Sequence, residues 1–169
     1  MATGTLISEA EYLAKSYEPD CEFEDGVQIE RNVGTRKHSK VQTALAAYFW
    51  KRRKAWNIYV YTEVRFRIRR GKYLIPDLCI VRGSEPDEDI MTAPPLIWIE
   101  ILSPEDRHVR VNRKVKEVLD FGTPYVWVID PETMESELHT PAGHDTLVDG
   151  TLRIEDAGIV VPLADIFED

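Results

Sequence analysis

Two short apolar segments in the middle of the chain each carry one carboxylate. Asp77 lies in residues 74–81, Leu-Ile-Pro-Asp-Leu-Cys-Ile-Val, and Glu100 lies in residues 96–102, Leu-Ile-Trp-Ile-Glu-Ile-Leu. Short runs that are rich in β-branched and aromatic residues are typical of buried strands. A carboxylate in such a strand is costly to bury unless a cation or a hydrogen-bond donor compensates it. The fold must therefore supply positive charge or donors to both acids.

The two acids together predict a metal site between neighbouring strands. Adjacent carboxylates repel each other, and a shared cation is the natural compensation. Oxygen ligands favour a hard ion, Mg²⁺ or Mn²⁺, that keeps several waters. Lys114, on a basic segment that follows, is a candidate third member. We expect the two carboxylates to meet at the edge of a cleft, both with pKa values above their ordinary range in the metal-free protein.

Each of these residues also has a plain structural interpretation. Asp77 follows Pro76, and an aspartate there often serves as a turn or cap residue. Glu100 could be a strand-end residue that faces solvent or pairs with an arginine. Lys114 could belong to the solvated face of a basic helix. The sequence leaves these alternatives open.

The remaining patterns predict an α+β fold, with residues 1–169 as a single domain. A capping box at 8–11 opens a short helix to about residue 17, and the longest helical pattern covers about 35–55. The predicted strands are a hairpin over 21–31, a second hairpin over 57–81, strands at 96–102 and 125–130 on either side of a helix over 109–121, and a terminal meander over 134–154. The strands that flank the helix are parallel if that unit is a right-handed crossover.

The charge balance argues against a protein that coats nucleic acid. The formal net charge is −9 and the pI is near 5.0, whereas such domains are basic. The basic residues are concentrated in internal segments, however, including 107–116. A local basic face can still bind a phosphate backbone.

Composition also constrains the compartment. No apolar stretch approaches the roughly 20 residues of a membrane span, and no secretory signal is visible, so we expect no membrane partner. Cys21 and Cys79 lack the Cys-x-x-Cys spacing, which favours core thiols over a zinc site or a disulfide framework. The expected location is the reducing cytoplasm.

Several motifs occur in a defined order along the chain. They are Glu-Phe-Glu-Asp-Gly at 22–26, His38, Pro-Asp at 76–77, Glu-Ile-Leu-Ser-Pro at 100–104, Lys114, Trp-Val-Ile-Asp-Pro at 127–131, and Val-Pro-Leu-Ala-Asp-Ile-Phe at 161–167. In this order the chain resembles the Uma-type branch of the PD-(D/E)XK nuclease superfamily, a branch described as restriction endonucleases. The commonest superfamily motif has its lysine two positions after the second acid. That position is Leu102 here, so the resemblance implies that Lys114 on the helix takes the role.

The resemblance implies a restriction-endonuclease-like core: a mixed central β-sheet flanked by helices, with an extra C-terminal β-meander. It implies a Mg²⁺- or Mn²⁺-dependent endonuclease that hydrolyses phosphodiester bonds in DNA and forms a homodimer. The implied catalytic residues are Asp77, Glu100, Lys114 and Glu22, and the implied metal ligands are Asp77, Glu100 and the Ile101 carbonyl. Contacts with nucleic acid are expected from Arg107, Arg110, Arg113, Lys116 and His38.

Three alternatives stay open beside this hypothesis. The chain could be a catalytically inactive nuclease-fold protein that serves as a binding or oligomeric module. It could be a glycosidase-like enzyme with two carboxylates, which would need exposed aromatic side chains near the acids. At the residue level, Glu22 could be an exposed hairpin-edge glutamate and His38 could cap its helix.

Overall fold

A computed structural model describes residues 6–106 and 108–167. In chain order the elements are α1 (Glu9–Leu13), β1 (Cys21–Glu24), β2 (Val27–Glu30), α2 (Arg36–Trp56), β3 (Ile58–Thr62), β4 (Phe66–Arg69), β5 (Lys72–Leu74), β6 (Leu78–Arg82), β7 (Ile97–Ile101), α3 (His108–Phe121), β8 (Tyr125–Ile129), β9 (Ser136–Thr140), β10 (Gly143–Thr146), β11 (Thr151–Ile154), β12 (Ile159–Pro162) and α4 (Leu163–Phe167).

A six-stranded mixed sheet forms the centre of the fold. Its strand order is β10-β9-β8-β7-β6-β3. β7 and β8 are parallel and are joined by α3, and the other neighbours are antiparallel. The predicted α+β fold, with a mixed central sheet and flanking helices, is confirmed.

A smaller antiparallel sheet, β2-β1-β5-β4, stands beside the central one. The segment 57–81 is not the single hairpin that was predicted, because its strands are divided between the two sheets. The chain turns out of the central sheet at Glu63, whose φ of 53° is a turn conformation. It forms the β4–β5 pair and then returns as β6, which pairs with β3. Residues 75–77 are therefore a crossing between the sheets.

The two long helices pack against alternate side chains of the central strands. On α2, Val41, Leu45 and Phe49 recur at spacings of four residues and pack with the isoleucines of β7. On α3, Val115 packs with Trp98. Since successive strand residues point to opposite faces, Glu100 shares the α3 side with Trp98.

The ends of the chain differ from the prediction in detail. Of the predicted meander, β9 pairs with β10, a strand that was not predicted, and both extend the central sheet, whereas β11 pairs with β12 in a separate two-stranded sheet. This sheet and α4 contribute to the core on the α2 side. The first helix ends at Leu13, earlier than predicted, although the capping box between Ser8 and Glu11 is present. Among the described residues, no helix is long and apolar enough to cross a membrane.

Candidate active site

Two buried acids and one partly buried acid meet where the two sheets separate. Glu22 comes from β1 of the small sheet, Asp77 from the crossing, and Glu100 from β7 of the central sheet. Leu78 pairs with Ile99, so the antiparallel register brings Asp77 opposite Glu100. All three line one cleft of about 70 Å³. Glu22, only 5% exposed, is thus not a solvated hairpin-edge residue.

Lys114 connects two of these acids. Its Nζ lies 2.7 Å from Glu22 Oε1 and 2.7 Å from Glu100 Oε1, and it donates to the Ile75 carbonyl at 2.9 Å. Burial opposes the charged form of this lysine, but the two carboxylates outweigh burial and raise its pKa. Lys114 is therefore a partly buried cation inside the cleft, not part of a solvated helix face.

Glu100 is the acid that is least compensated. It also accepts a hydrogen bond from Trp98 Nε1 at 2.6 Å. Burial raises the pKa of Glu100 to about 7, and the neighbouring charges of Asp77 and Glu22 add to this, while Lys114 opposes it. The raised pKa expected for this carboxyl is thus present.

Asp77 behaves in the opposite way. Its Oδ1 accepts from Arg31 at 2.8 Å, and its Oδ2 accepts from the Ile101 amide at 2.7 Å and faces His38 Nε2 at 3.2 Å. Burial would raise the pKa of Asp77, but His38, Arg31 and the amide together lower it. The expectation of a raised pKa for this residue is wrong, because the repulsion from Glu100 is smaller than the stabilisation by these donors.

Two of these partners were not expected in this role. His38 is buried, and the hydrogen bond to Asp77 raises its pKa. Thr35, rather than His38, caps α2. Arg31 was not singled out from the sequence at all, because its partner is 46 residues away and no local motif links them. The one signal in the sequence was that two acids in apolar segments, Asp77 and Glu100, had a single candidate cation, Lys114.

The predicted nucleic-acid contacts on α3 have different surroundings. Arg110 is exposed, lines the cleft and donates to the Glu30 carbonyl. Arg113 pairs with Glu24 and Glu117, and Lys116 pairs with Asp120 on the outer surface. Arg107 lies outside the described residues.

The donor chemistry of the cleft fits a hard divalent cation. Four carboxylates, those of Glu22, Asp77, Glu100 and Asp106, line the cleft together with three permanent cations, Arg31, Arg110 and Lys114, and with His38. Burial, with the charges of Asp77 and Glu22, keeps the pKa of Glu100 high, and a divalent ion bound there would favour its ionised form. Asp77 and Glu100 are the side chains that could hold an ion, although no cluster of three or more His, Cys, Asp or Glu side chains in residues 6–106 and 108–167 is arranged to do so.

The site thus combines an acid at the crossing between the sheets, an acid on the next strand and a lysine from the following helix. The chain belongs to the Uma2 family, described as "Putative restriction endonuclease", whose model matches residues 9–162. This confirms the family that the motifs indicated, and the family supports a nuclease.

A solved structure has the same fold. It is described as a "putative nuclease belonging to DUF820" from Anabaena variabilis, and it is 22% identical to this chain with a TM-score of 0.79. The match covers 95% of this chain and 97% of the other. No curated protein matches the chain.

Proposed function

We propose that this protein is a metal-dependent endonuclease that hydrolyses phosphodiester bonds in DNA. Asp77, Glu100 and the Ile101 carbonyl would hold Mg²⁺ or Mn²⁺. When bound, such an ion polarises a phosphate oxygen and makes a nearby water more acidic. The observation that carries the proposal is the position of Lys114 Nζ, between Glu22 and Glu100 in the cleft that also contains Asp77.

Lys114 supplies the positive charge that remains when a phosphate enters. Its ammonium has three donors and is fixed by two carboxylates and one carbonyl, so no side-chain entropy remains to be lost when it acts. Such a fixed cation stabilises negative charge that develops on the phosphate and orients an attacking water. Glu22 is then a positioning residue, since it contacts Lys114 and the Ile75 amide.

Asp77 would carry its negative charge before a metal ion binds. The donors around it keep its pKa low, so it carries its charge at neutral pH. Arg31 lines the cleft, donates to Asp77 Oδ1 at 2.8 Å, and also faces Glu63 at 3.7 Å. An arginine with two acidic partners can turn toward an incoming phosphate, which it binds as a planar donor.

The test is cleavage of supercoiled and single-stranded DNA with Mg²⁺ or Mn²⁺. We expect cleavage by the wild type and a loss of about 10²-fold or more in Asp77→Asn. Asp120→Asn is the matched control, because Asp120 lies on the outer surface of α3 and pairs with Lys116. Equal cleavage by wild type and Asp77→Asn would overturn the proposal.

One observation favours the binding-only alternative. Both oxygens of Asp77 are already engaged by Arg31, His38 and the Ile101 amide. A protein that never binds metal would keep this closed arrangement. Calorimetry with Mn²⁺ separates the two: heat that disappears in Asp77→Asn supports the nuclease, and no heat in the wild type supports the binding module.

The glycosidase alternative has no support in the cleft. Its described lining contains no aromatic side chain, and Trp98 and Trp127 are buried. A sugar ring would therefore find no stacking surface beside the acids.

We also propose that the protein acts as a homodimer in the cytoplasm. Two copies would place two clefts on the two strands of a duplex. The thiols of Cys21 and Cys79 are both free and buried, which suits a reducing compartment.

A further inference from the structure

A second cavity lies next to the candidate active site. It has a volume of about 260 Å³ and is bounded by the first half of α3, the end of β8 and the strand β9. Leu102, Asp106 and Val111 line both this cavity and the cleft, so the two spaces share one wall. A ligand that fills the cleft therefore reaches the entrance of this second cavity.

The cavity combines apolar walls with a few polar groups. Leu102, Val111 and Val128 provide the apolar surface, and Asn112 provides an amide. Ser136 also lines the cavity; it is 2% exposed, and its hydroxyl has no hydrogen-bond partner among the described residues. A buried hydroxyl without a partner is costly and indicates a place for a ligand group.

Histidine and acidic side chains complete the polar lining. His139 lines the cavity, stacks on His144 with ring centroids 5.2 Å apart, and places Nε2 3.1 Å from Glu137. Burial lowers the pKa of His139, so the ring is neutral at pH 7 and does not offset the acids. The carboxylates on this side are those of Asp106, Asp130, Glu135 and Glu137.

The lining of this cavity repels the phosphate groups of a nucleic acid but can accommodate a base. Among the described residues that line the cavity, the carboxylates have no permanent cation beside them, and such carboxylates repel a phosphate group. They accept hydrogen bonds from the amino groups of bases, as acidic side chains do from cytosine. Apolar walls provide the contact that the flat face of a base needs.

We propose that this cavity binds an unstacked nucleobase that carries an exocyclic amino group. The base would come from the strand whose phosphate lies in the adjacent cleft, and this part rests on the proposed nuclease function. The acids would accept from the amino group, and the Ser136 hydroxyl and the Asn112 amide would pair with the remaining edge of the base. The site would thereby select which base stands next to the position of cleavage.

The chemistry of the cavity can be tested without cleavage. Cytidine and uridine differ at the amino group, so both are titrated into the protein and followed by saturation-transfer NMR. We expect cytidine to bind better than uridine, and Ser136→Ala and Asn112→Ala to weaken cytidine by about 5-fold or more. Asp120→Asn, on the outer side of the same helix, is the control and should bind as the wild type does. Equal binding of the two nucleosides, or variants that bind as tightly as the wild type, would overturn the proposal.

A second experiment connects the cavity to the substrate. DNA with 2-aminopurine at one position at a time is bound to Lys114→Ala, which should bind but not cut. A base that leaves the stack becomes brighter, so we expect a rise in fluorescence at a position beside the cut site, and its loss when Ser136→Ala is added. Wild-type cleavage without any such rise would overturn the base-binding proposal and leave the nuclease standing. Selective cytidine binding by a protein that cuts no nucleic acid would support the cavity assignment and overturn the nuclease.

Discussion

At the scale of single residues, the distribution of charge in the cleft separates two kinds of acid. Asp77 is surrounded by donors and is kept ionised, whereas Glu100 is partly buried with one lysine that it shares with Glu22. Environment thus moves two similar carboxyls in opposite directions. This difference makes Glu100 the residue whose protonation changes near neutral pH.

The role of Lys114 can be separated from that of its basic neighbours. Lys114→Ala should cut DNA cleavage by about 10²-fold or more while metal affinity stays nearly intact, because the lysine acts on the phosphate rather than on the ion. Lys116 is the control, since positions two apart on a helix differ by roughly 200° and Lys116 pairs with Asp120 outside the cleft. Single-turnover cleavage of both variants checks this. If both variants lose activity equally, the lysines form only a diffuse basic surface.

The pKa of Glu100 predicts how stability depends on pH. Its folded-state pKa of about 7 is above the ordinary 4.5, so the folded protein binds the extra proton. The resulting stabilisation is fully present below about pH 4.5 and is lost as pH rises through 7. Glutamine does not titrate, so Glu100→Gln removes this loss. The free energy of unfolding of the variant minus that of the wild type should therefore be roughly 2 kcal/mol larger at pH 8 than at pH 5.

Urea unfolding of both proteins at the two pH values measures this gain. His38, whose raised pKa gives a dependence of the same sign, is present in both proteins, and only the smaller part of its shift that comes from the Glu100 charge differs between them. A difference in unfolding free energy that is the same at pH 5 and pH 8 would contradict the assignment.

At the scale of elements, an ion network fixes α3 against the small sheet. Lys72 of β5 is 3% exposed, and its Nζ contacts Glu24 of β1 and Glu117 of α3. Arg113 adds a second contact to both acids from the surface. Since Lys114 is the next residue on α3, the position of this helix decides where its ammonium lies.

Removal of the Lys72 ammonium should therefore lower the stability of the folded protein. Lys72→Met leaves two partly buried carboxylates without their central cation and should lower the free energy of unfolding by about 2 kcal/mol. Arg113→Met, which removes the exposed member of the same network, should cost less than about 1 kcal/mol. Urea denaturation compares them. Equal losses would mean that burial does not control the energetics of this network.

At the scale of the whole molecule, acidic residues neutralise much of the predicted basic surface. The pairs of Arg113 and Lys116 with their acidic neighbours leave Arg110 as the exposed basic group of α3 that lines the cleft in the described part of the chain. The net charge of −9 acts in the same direction. Association with a polyanion therefore depends on a few local contacts.

The salt dependence of DNA binding measures the number of those contacts. About one to three neutralised phosphates predict a slope of log K against log salt of about −1 to −3. Lys116→Ala should weaken affinity slightly and reduce the slope. Fluorescence anisotropy at several salt concentrations gives both values. A slope steeper than about −6 would mean that basic residues outside α3 and the cleft also contact the DNA.

Much of this arrangement could be predicted locally, and the rest depends on contacts between distant parts of the chain. The α+β class followed from alternation and helical spacing, and buried acids in apolar strands directed attention to Asp77 and Glu100. The division of 57–81 between two sheets was not predictable, because a strand has the same alternation in either sheet. Arg31 and the lowered pKa of Asp77 were missed for a related reason: the donors come from segments that only the folded chain brings together.

The crossing between the sheets also provides a natural spectroscopic probe. The amide of Ile75 donates to Glu22 at 3.0 Å, and its carbonyl accepts from Lys114 at 2.9 Å. One residue thus touches two charged groups of the cleft through its own backbone. The nitrogen and carbonyl-carbon resonances of Ile75 should move together when an ion or a phosphate displaces those partners, so isotopic labelling of isoleucine would record occupancy of the cleft without any reaction taking place.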